Sequence, residues 1–487
     1  METWKWEIEN EDYLKRTLQR AKEKNLLLPT FKQQKHPETI PAEIQDKLKE
    51  IGFWDVHPLN LFRINWANDY SSGGIGDIHF LEIPKEITGV KARIVGLVGK
   101  FFPTGAHKVG ATYGCLAPYL VTGRFNPDYH KAVWPSTGNY CRGGAFNSAL
   151  LGVHAVAILP EEMSRERFDW LKDIGAEIYA TPGCESNVKE IYDKCHELEA
   201  ESDEYVIFNQ FDQFGNAVWH YEITGHTIEK LFNQIKEGNQ RLSGYASATG
   251  SAGTIAAGDY LRKVNPQIKV IASEALQCPT LLMNGFGGHR IEGIGDKHVP
   301  WIHNVKNTDA VTAIDDEDPL RVLRLFNEAA GLEFLKEKGI DETTLEKLSY
   351  LGISSASNML SAIKMAKYYE MNENDVIFTV FTDSKEMYNS RLQEMNDAWG
   401  EYTEEQARID WTAVIKKQTI DYFKELSYYD KKAIHNLKYF TWVEQQGKNV
   451  DELNAQWHDE NYWEERFNSA DKWDELIEEF NKKVQES

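Results

Sequence analysis

Lys108 stands in the stretch FFPTGAHKVGATYG (101–114) among small and apolar residues, with no acidic side chain in the stretch, although the chain carries 76 Asp and Glu. The apolar run ARIVGLVGKFF (92–102) ends at Pro103, Thr104 and Gly105, and a small-residue helical pattern starts near Ala106. That places the lysine at a strand-to-helix turn, the kind of edge where α/β proteins build sites. The positive end of a helix and burial both disfavour an ammonium ion, and a neutral amine is a nucleophile toward carbonyl carbon. A surface lysine in a first helical turn would have the same local sequence, so the stretch takes its meaning from others. PSTGNYCRGG (135–144) follows the strand pattern HKAVW and offers backbone amides with the hydroxyls of Ser136 and Thr137, a nest for a carboxylate. ATGSAGTIAAG (248–258) opens a helix, and its run Gly250, Ser251, Ala252, Gly253, Thr254 leaves main-chain amides open to a phosphate monoester. It lacks the lysine of a Walker loop, which argues against nucleotide hydrolysis. DVIFTVFTDSKEMY (375–388) ends a strand pattern with Ser384, a neutral hydroxyl. Each of these loops could also be a plain helix cap.

The elements that must position these groups follow from texture. The apolar runs ARIVGLVGKFF, HAVAILP, YVIFNQF, IKVIASE and DVIFTVF alternate with helical patterns such as SRERFDWLKDIG and NVKEIYDKCHELEAES. Buried strands separated by such helices predict an α/β fold of parallel sheets covered on both faces. Asp318–Pro319 predicts a helix start, with Asp318 as cap and proline at the first helical position. Residues 1–75 read as a helical and irregular extension, 76–394 as the α/β region and 395–487 as an acidic, Trp-rich helical extension without strands. The tryptophans of that tail are expected to pack it onto the body or onto another subunit.

Composition narrows the classes. Lys and Arg number 54 against 76 acidic residues, a formal net charge of −22, which repels nucleic acid and anionic lipid. No apolar run reaches membrane-spanning length, and the charged N-terminus lacks the apolar core of a secretory signal. Five cysteines, odd in number and without CxxC spacing, predict neither a disulfide framework nor a zinc site, and a reducing cytoplasm fits. His289, His298 and His303 are read as exposed loop histidines, with no metal site.

An amine, a carboxylate nest, a phosphate nest and a neutral hydrogen-bonding group make up the set that pyridoxal phosphate bound to an amino acid requires. The residues in series resemble the cystathionine β-synthase and cysteine synthase family, fold-type-II pyridoxal-phosphate enzymes akin to tryptophan synthase β-chains. PTGAHK resembles the cofactor-lysine motif, STGN the substrate loop, and LPEEMSRERFDWLKDIGAEIYATPG the segment after it. NQFDQFGNAVWHYEITGHTI, GSAGT, EGIG, LGISSASNMLSAIKMA and TDSKEMY follow in the family's order. The resemblance implies two interleaved α/β subdomains with the cofactor between them, and a homodimer. It implies that Lys108 carries the cofactor as an internal aldimine and serves as base at Cα, and that Asn139 bonds the pyridoxal 3′-oxygen. Gly250, Ser251, Ala252, Gly253 and Thr254 would cradle the phosphate, and Ser384 would face the pyridine nitrogen. Ser136, Thr137, Gly138, Tyr140 and Gln210 would hold the substrate carboxylate.

The implied activity is β-elimination or β-replacement, through an aminoacrylate, on a small amino acid such as serine, O-acetylserine or cysteine. A serine/threonine-type dehydratase and a cofactor-binding subunit of an assembly, with little turnover of its own, stay open as alternatives. Departures from the family bear on specificity. Tyr140, Cys141 and Arg142 stand where relatives carry Thr-Gly, and Arg142 is read as a solvated helix arginine rather than a reader of a second carboxylate. Ala252 replaces a usual glycine. Asp296, Lys297 and His298 follow EGIG where relatives hold aromatic or apolar residues, and substrate selection is expected there.

Overall fold

The computed structural model describes residues 6–136 and 138–486. Its strands are β1 (Phe80–Ile83), β2 (Arg93–Val98), β3 (Lys131–Pro135), β4 (His154–Pro160), β5 (Glu177–Thr181), β6 (Tyr205–Ile207), β7 (Arg241–Ala248), β8 (Lys269–Ala275), β9 (Ala310–Ile314), β10 (Asp375–Phe381) and β11 (Phe423–Glu425). Seven of them form a sheet in the order β1-β2-β10-β7-β8-β9-β11, and the other four a sheet in the order β5-β4-β3-β6. The smaller sheet is wholly parallel. The larger is parallel from β2 to β9, while β1 and β11 join its edges antiparallel. All seven residues of β10 are buried and five of them are apolar, the pattern of a strand with helices on both faces. Ile377 lies opposite Ile94 of β2 and Gly244 of β7, after a register irregularity on the β7 side.

The runs read as strands from their apolar pattern appear as β2, β4, β6, β8 and β10. Two expectations are corrected. The tail is not free of strands, because β11 pairs with β9 through Phe423 opposite Thr312. Three residues with one apolar side chain are too short to show an alternating period. The helix expected to start at Asp318 runs Glu317–Asn327, with Asp316 at its N-cap. Proline lacks an N–H that no residue of the first turn can use, so Pro319 marks that turn and not its first position.

The tail packs on the body of its own chain. Trp442, Trp457, Trp463 and Trp473 are buried, and Trp473 lies 5.5 Å from Phe31 in the N-terminal extension. Asp474, in the last helix (Ser469–Gln485), accepts from Phe31 N (2.6 Å) and Lys32 N (2.9 Å), so the two extensions meet in a hydrogen-bonded seam. Among the described residues, no helix is long and apolar enough to cross a membrane.

Candidate active site

Three neighbouring strands, β2, β10 and β7, send their C-terminal ends to one edge of the larger sheet. The chain leaving β2 reaches Lys108, the first residue of a helix (Lys108–Val121); the chain leaving β10 reaches Asp383; the chain leaving β7 reaches Gly250. Sheet hydrogen bonds thus fix the spacing of groups that are hundreds of residues apart, at the edge where open α/β sheets hold ligands. From the smaller sheet, β3 leads to Ser136 and to the helix Asn139–Leu151.

Lys108 Nζ donates to Ser251 Oγ at 2.9 Å, and Asn216 Nδ2 donates to the same oxygen at 3.0 Å. Burial is the largest influence on Lys108 and brings its pKa down to about 8. Its isolation in sequence does not extend to space: Asp296 and Glu185, buried and distant in the chain, act on the amine and hold it up. Burial raises Asp296 to about 7, with Lys108 pulling the other way. His107, under the same burial and beside Lys108, falls to about 3, so it is neutral and can share a hydrogen with Thr254 Oγ1 (3.3 Å).

Among the described residues, the five successive amides of Gly250 to Thr254 donate no hydrogen bond to the protein. A run of unpaired donors ahead of the turn Thr254–Ala256 and the helix Ala257–Val264 is a cradle for phosphate oxygens. Gly253 could not carry a side chain, because a Cβ there would lie 1.9 Å from Asn216 Oδ1. Ala252 sits at φ 59°, in the left-handed region that costs an L-residue roughly 1–2 kcal/mol. Asn139 Nδ2 donates to Asp383 Oδ2 (2.6 Å), while Asn139 Oδ1, Asn216 Oδ1 and Asp383 Oδ1 are buried without a partner. Unpaired amides and orphaned buried polar atoms fit a ligand with a phosphate and a polar ring, which is the donor set that pyridoxal phosphate needs.

The other expected residues divide. Ser136 is buried, and its Oγ accepts from Gly138 N (3.1 Å), which shapes the turn before Asn139. Thr137 lies outside the described residues. Gln210 is buried, and its backbone carbonyl takes the second hydrogen bond of Asn216 Nδ2 (2.9 Å). The Tyr140 ring instead turns edge-on to Trp134, 5.6 Å between centroids, into the packing between helices. Ser384, expected to face the pyridine nitrogen, donates its hydroxyl to Glu386 Oε2 (2.7 Å), and the neighbouring Asp383 takes the hydrogen bond of Asn139. Arg142 is not solvated. It is buried over the Trp170 ring (4.7 Å), and burial beside Arg167 brings it down to about 9.

Arg167, fully buried, was not singled out from sequence. It donates to Ser164 Oγ (2.6 Å) and Tyr388 Oη (3.1 Å), and pairs with Glu292 and, at 3.6 Å, with Asp383. Tyr388 in turn donates to Asp383 Oδ2 (2.8 Å). Arg167 therefore ties the smaller sheet's helix to the loop after β10, and only the fold shows that these distant residues meet. Asn216 lay inside a motif of the expected series, yet nothing local marks it as the residue that locks Ser251. The three histidines are not exposed loops. His289 Nε2 meets Gly295 O (2.7 Å), His303 Nε2 meets Thr308 Oγ1 (3.0 Å), and His298 Nε2 meets Tyr192 Oη (3.2 Å). No group of three metal-ligating side chains converges among the described residues.

Comparison with known proteins accords with this geometry. Cystathionine beta-synthase of Saccharomyces cerevisiae is 26% identical over 329 residues, covering 65% of this chain and 60% of its own length. A cysteine synthase of Staphylococcus aureus is 30% identical over 259 residues, covering 53% of this chain and 75% of its own. O-acetyl serine sulfhydrylase isoform 3 from Entamoeba histolytica shares the fold, with a TM-score of 0.57 at 23% identity over 70% of this chain and 94% of that one. The family described as pyridoxal-phosphate dependent enzyme matches residues 90–335. A match over half the chain, on a cradle and a buried amine that suit its cofactor, makes this protein a member of the pyridoxal-phosphate dependent enzyme family.

Proposed function

We propose that the protein catalyses β-elimination or β-replacement on a small β-substituted L-amino acid of the serine, O-acetylserine or cysteine type. The observation that carries this reading is the buried Lys108 amine, 2.9 Å from Ser251 Oγ beside five unpaired amides. Bound pyridoxal phosphate supplies a carbonyl for an amine and an electron sink for the substrate's Cα. Gly250 to Thr254 hold its phosphate through backbone N–H groups. Lys108 would hold the carbonyl carbon and is the amine placed to take the Cα proton; a pKa of about 8 leaves it neutral often enough at physiological pH to act as base. The Ser136–Asn139 turn receives the substrate carboxylate, and Asn139 orients the ring. The Arg167–Asp383–Tyr388 cluster keeps the two sheets in register around it.

Relatives named cysteine synthase and cystathionine beta-synthase support the replacement branch. Homodimerisation and a cytoplasmic setting belong to the same reading, the second supported by the five free cysteines among the described residues. Borohydride treatment of the cofactor-loaded protein, followed by peptide mapping, should leave the reduced pyridoxyl mass on Lys108. Lys108→Ala should lose that mass and all turnover of serine, O-acetylserine and cysteine. A label on another peptide, or full turnover in the variant, overturns the assignment. Product analysis with an added thiol separates replacement from the dehydratase alternative, which gives keto acid and ammonia alone.

A further inference from the structure

Asp296 is held in place from both sides. Gly295 N donates to Thr249 O (2.8 Å), His289 Nε2 bonds Gly295 O (2.7 Å), and Thr280 Oγ1 donates to the Asp296 carbonyl (2.8 Å). Gly293 and Gly295, at φ 99° and 75°, turn the chain so that this loop lies over the phosphate cradle. A Cβ built on Gly250 would stand 2.9 Å from Gly293 O and 3.6 Å from Asp296 Oδ2. The carboxyl is buried, and Oδ2 has no hydrogen-bond partner. The groups that feel its charge are Lys108 from the helix after β2, Tyr192 from the helix Val188–Glu201, and Cys278 after β8. Among the described residues, Lys108 is the one cation acting on it.

This arrangement couples two protonation states. When Lys108 is neutral, as a proton acceptor at Cα must be, no cation compensates a buried carboxylate at Asp296, and the acid keeps its proton. The site then holds a base and an acid together. The two groups titrate near each other, at about 8 and about 7, close to the pH at which both forms are accessible.

We propose that Asp296 is the proton donor to the substituent leaving Cβ, so that the site accepts a bare β-hydroxyl amino acid of the serine type and not only an activated ester. The inference rests on the function proposed above and names the substrate class of that site. Lys108 takes the Cα proton; the Cβ–O bond breaks with its electron pair on oxygen; the oxygen takes the proton of Asp296 and departs as water. In a replacement that follows loss of water, a nucleophile H–X forms the X–Cβ bond, its proton goes to the Asp296 carboxylate, and Lys108 gives its own proton back to Cα. No oxidant or reductant enters. Acetate leaves readily without protonation, so O-acetylserine does not need this acid.

The test compares wild type with Asp296→Asn as loaded enzymes, on serine and on O-acetylserine without added nucleophile, by the rate at which β-elimination forms keto acid and ammonia. Serine turnover should fall about 10²-fold or more, the usual contribution of a general acid, with O-acetylserine turnover changed by less than about threefold. Equal losses on both substrates, an unimpaired serine rate, or a wild type that uses O-acetylserine alone each overturn the inference while leaving the proposed function standing. A wild type inert toward both and toward cysteine sinks the proposed function, and this inference with it. A second readout uses the cofactor-free proteins: the pH midpoint for acetylation of Lys108, followed by peptide mass, should drop in Asp296→Asn because a carboxylate that raises it is gone. An unchanged midpoint overturns the contact. If the amide variant does not fold, Asp296→Ser serves both measurements.

Discussion

Two regions of the molecule hold the two sides of the site by different means. Lys108, Asp383 and the Gly250–Thr254 cradle hang from β2, β10 and β7, adjacent strands whose ladder fixes them. Asp296 lies in the long connection between β8 and β9, which no ladder supports. There the C-terminal extension takes over: Lys438 Nζ donates to Trp301 O (2.9 Å), His303 O (2.7 Å) and Gln456 Oε1 (2.7 Å), and Trp442 Nε1 donates to Val299 O (2.8 Å). Side chains of the tail supply to that loop what neighbouring strands supply to the others. The catalytic amine is thus set by the sheet, while the stretch that follows its acidic partner is clasped by the tail at residues 299–303, so the two can be perturbed separately.

Lys438→Met separates them with the largest effect. An ammonium has three donors, and Lys438 meets three acceptors while fully buried, with burial pulling its pKa down. An apolar replacement of similar length leaves those acceptors unpaired in the interior, a loss of about 3–5 kcal/mol by analogy with broken buried pairs. Thermal unfolding should shift down sharply, and hydrogen exchange should speed up at residues 299–303 before it does in β2, β7 and β10. If exchange rises evenly across both regions, the tail is not the support of this loop and the contrast fails.

What could be seen in the sequence follows the same division. Mostly buried strands such as HAVAILP and DVIFTVF announce themselves because nearly every position is apolar, and the turns after β2, β3 and β7 carried Lys108, Asn139 and Gly250. β5 and β9 are five residues each and sit among helical segments, so EIYAT and AVTAI gave no period to read. Pairings across long separations were not legible: Asn139 with Asp383, Arg167 with Glu292, and Lys108 with Asp296 become neighbours only once the sheets are assembled. The histidines of the 289–303 loop looked exposed because loops usually are, and the tail residues beside two of them, Trp442 at His298 and Lys438 at His303, lie more than a hundred residues later.

The seam between the two extensions offers a smaller, pH-dependent test. Burial raises Asp474 to about 7, against the pull of its bonds to Lys32 N and Phe31 N. A carboxyl whose folded pKa lies above its unfolded value adds stability that is complete below the unfolded value, near 3.8, and is lost as pH rises through about 7. Wild-type protein should therefore lose urea stability from about pH 5 to about pH 8, and Asp474→Asn should lose about 1–2 kcal/mol less over that span. An identical slope in the two proteins would mean the seam carries no proton linkage, and would limit the tail's part to the clasp on residues 299–303.

The smallest expected effect lies in the sheet-held half. Ala252 takes φ 59° inside the cradle, a conformation that glycine adopts without steric cost. Ala252→Gly relieves roughly 1–2 kcal/mol of strain and gives back about 0.5–1 kcal/mol in chain entropy, which leaves a net gain of about 0.5–1 kcal/mol. For a chain of this size that is a rise of about 1–2 °C in the unfolding temperature of the cofactor-free protein. The gain should leave exchange at residues 299–303 unchanged, since the strain is stored on the strand-held side. A fall in stability would mean that the Ala252 methyl, buried in the core, contributes more through packing than its backbone loses through strain. In that case the alanine stabilises a cradle built to stand open, and the sheet-held half too depends on a side chain beyond its ladder.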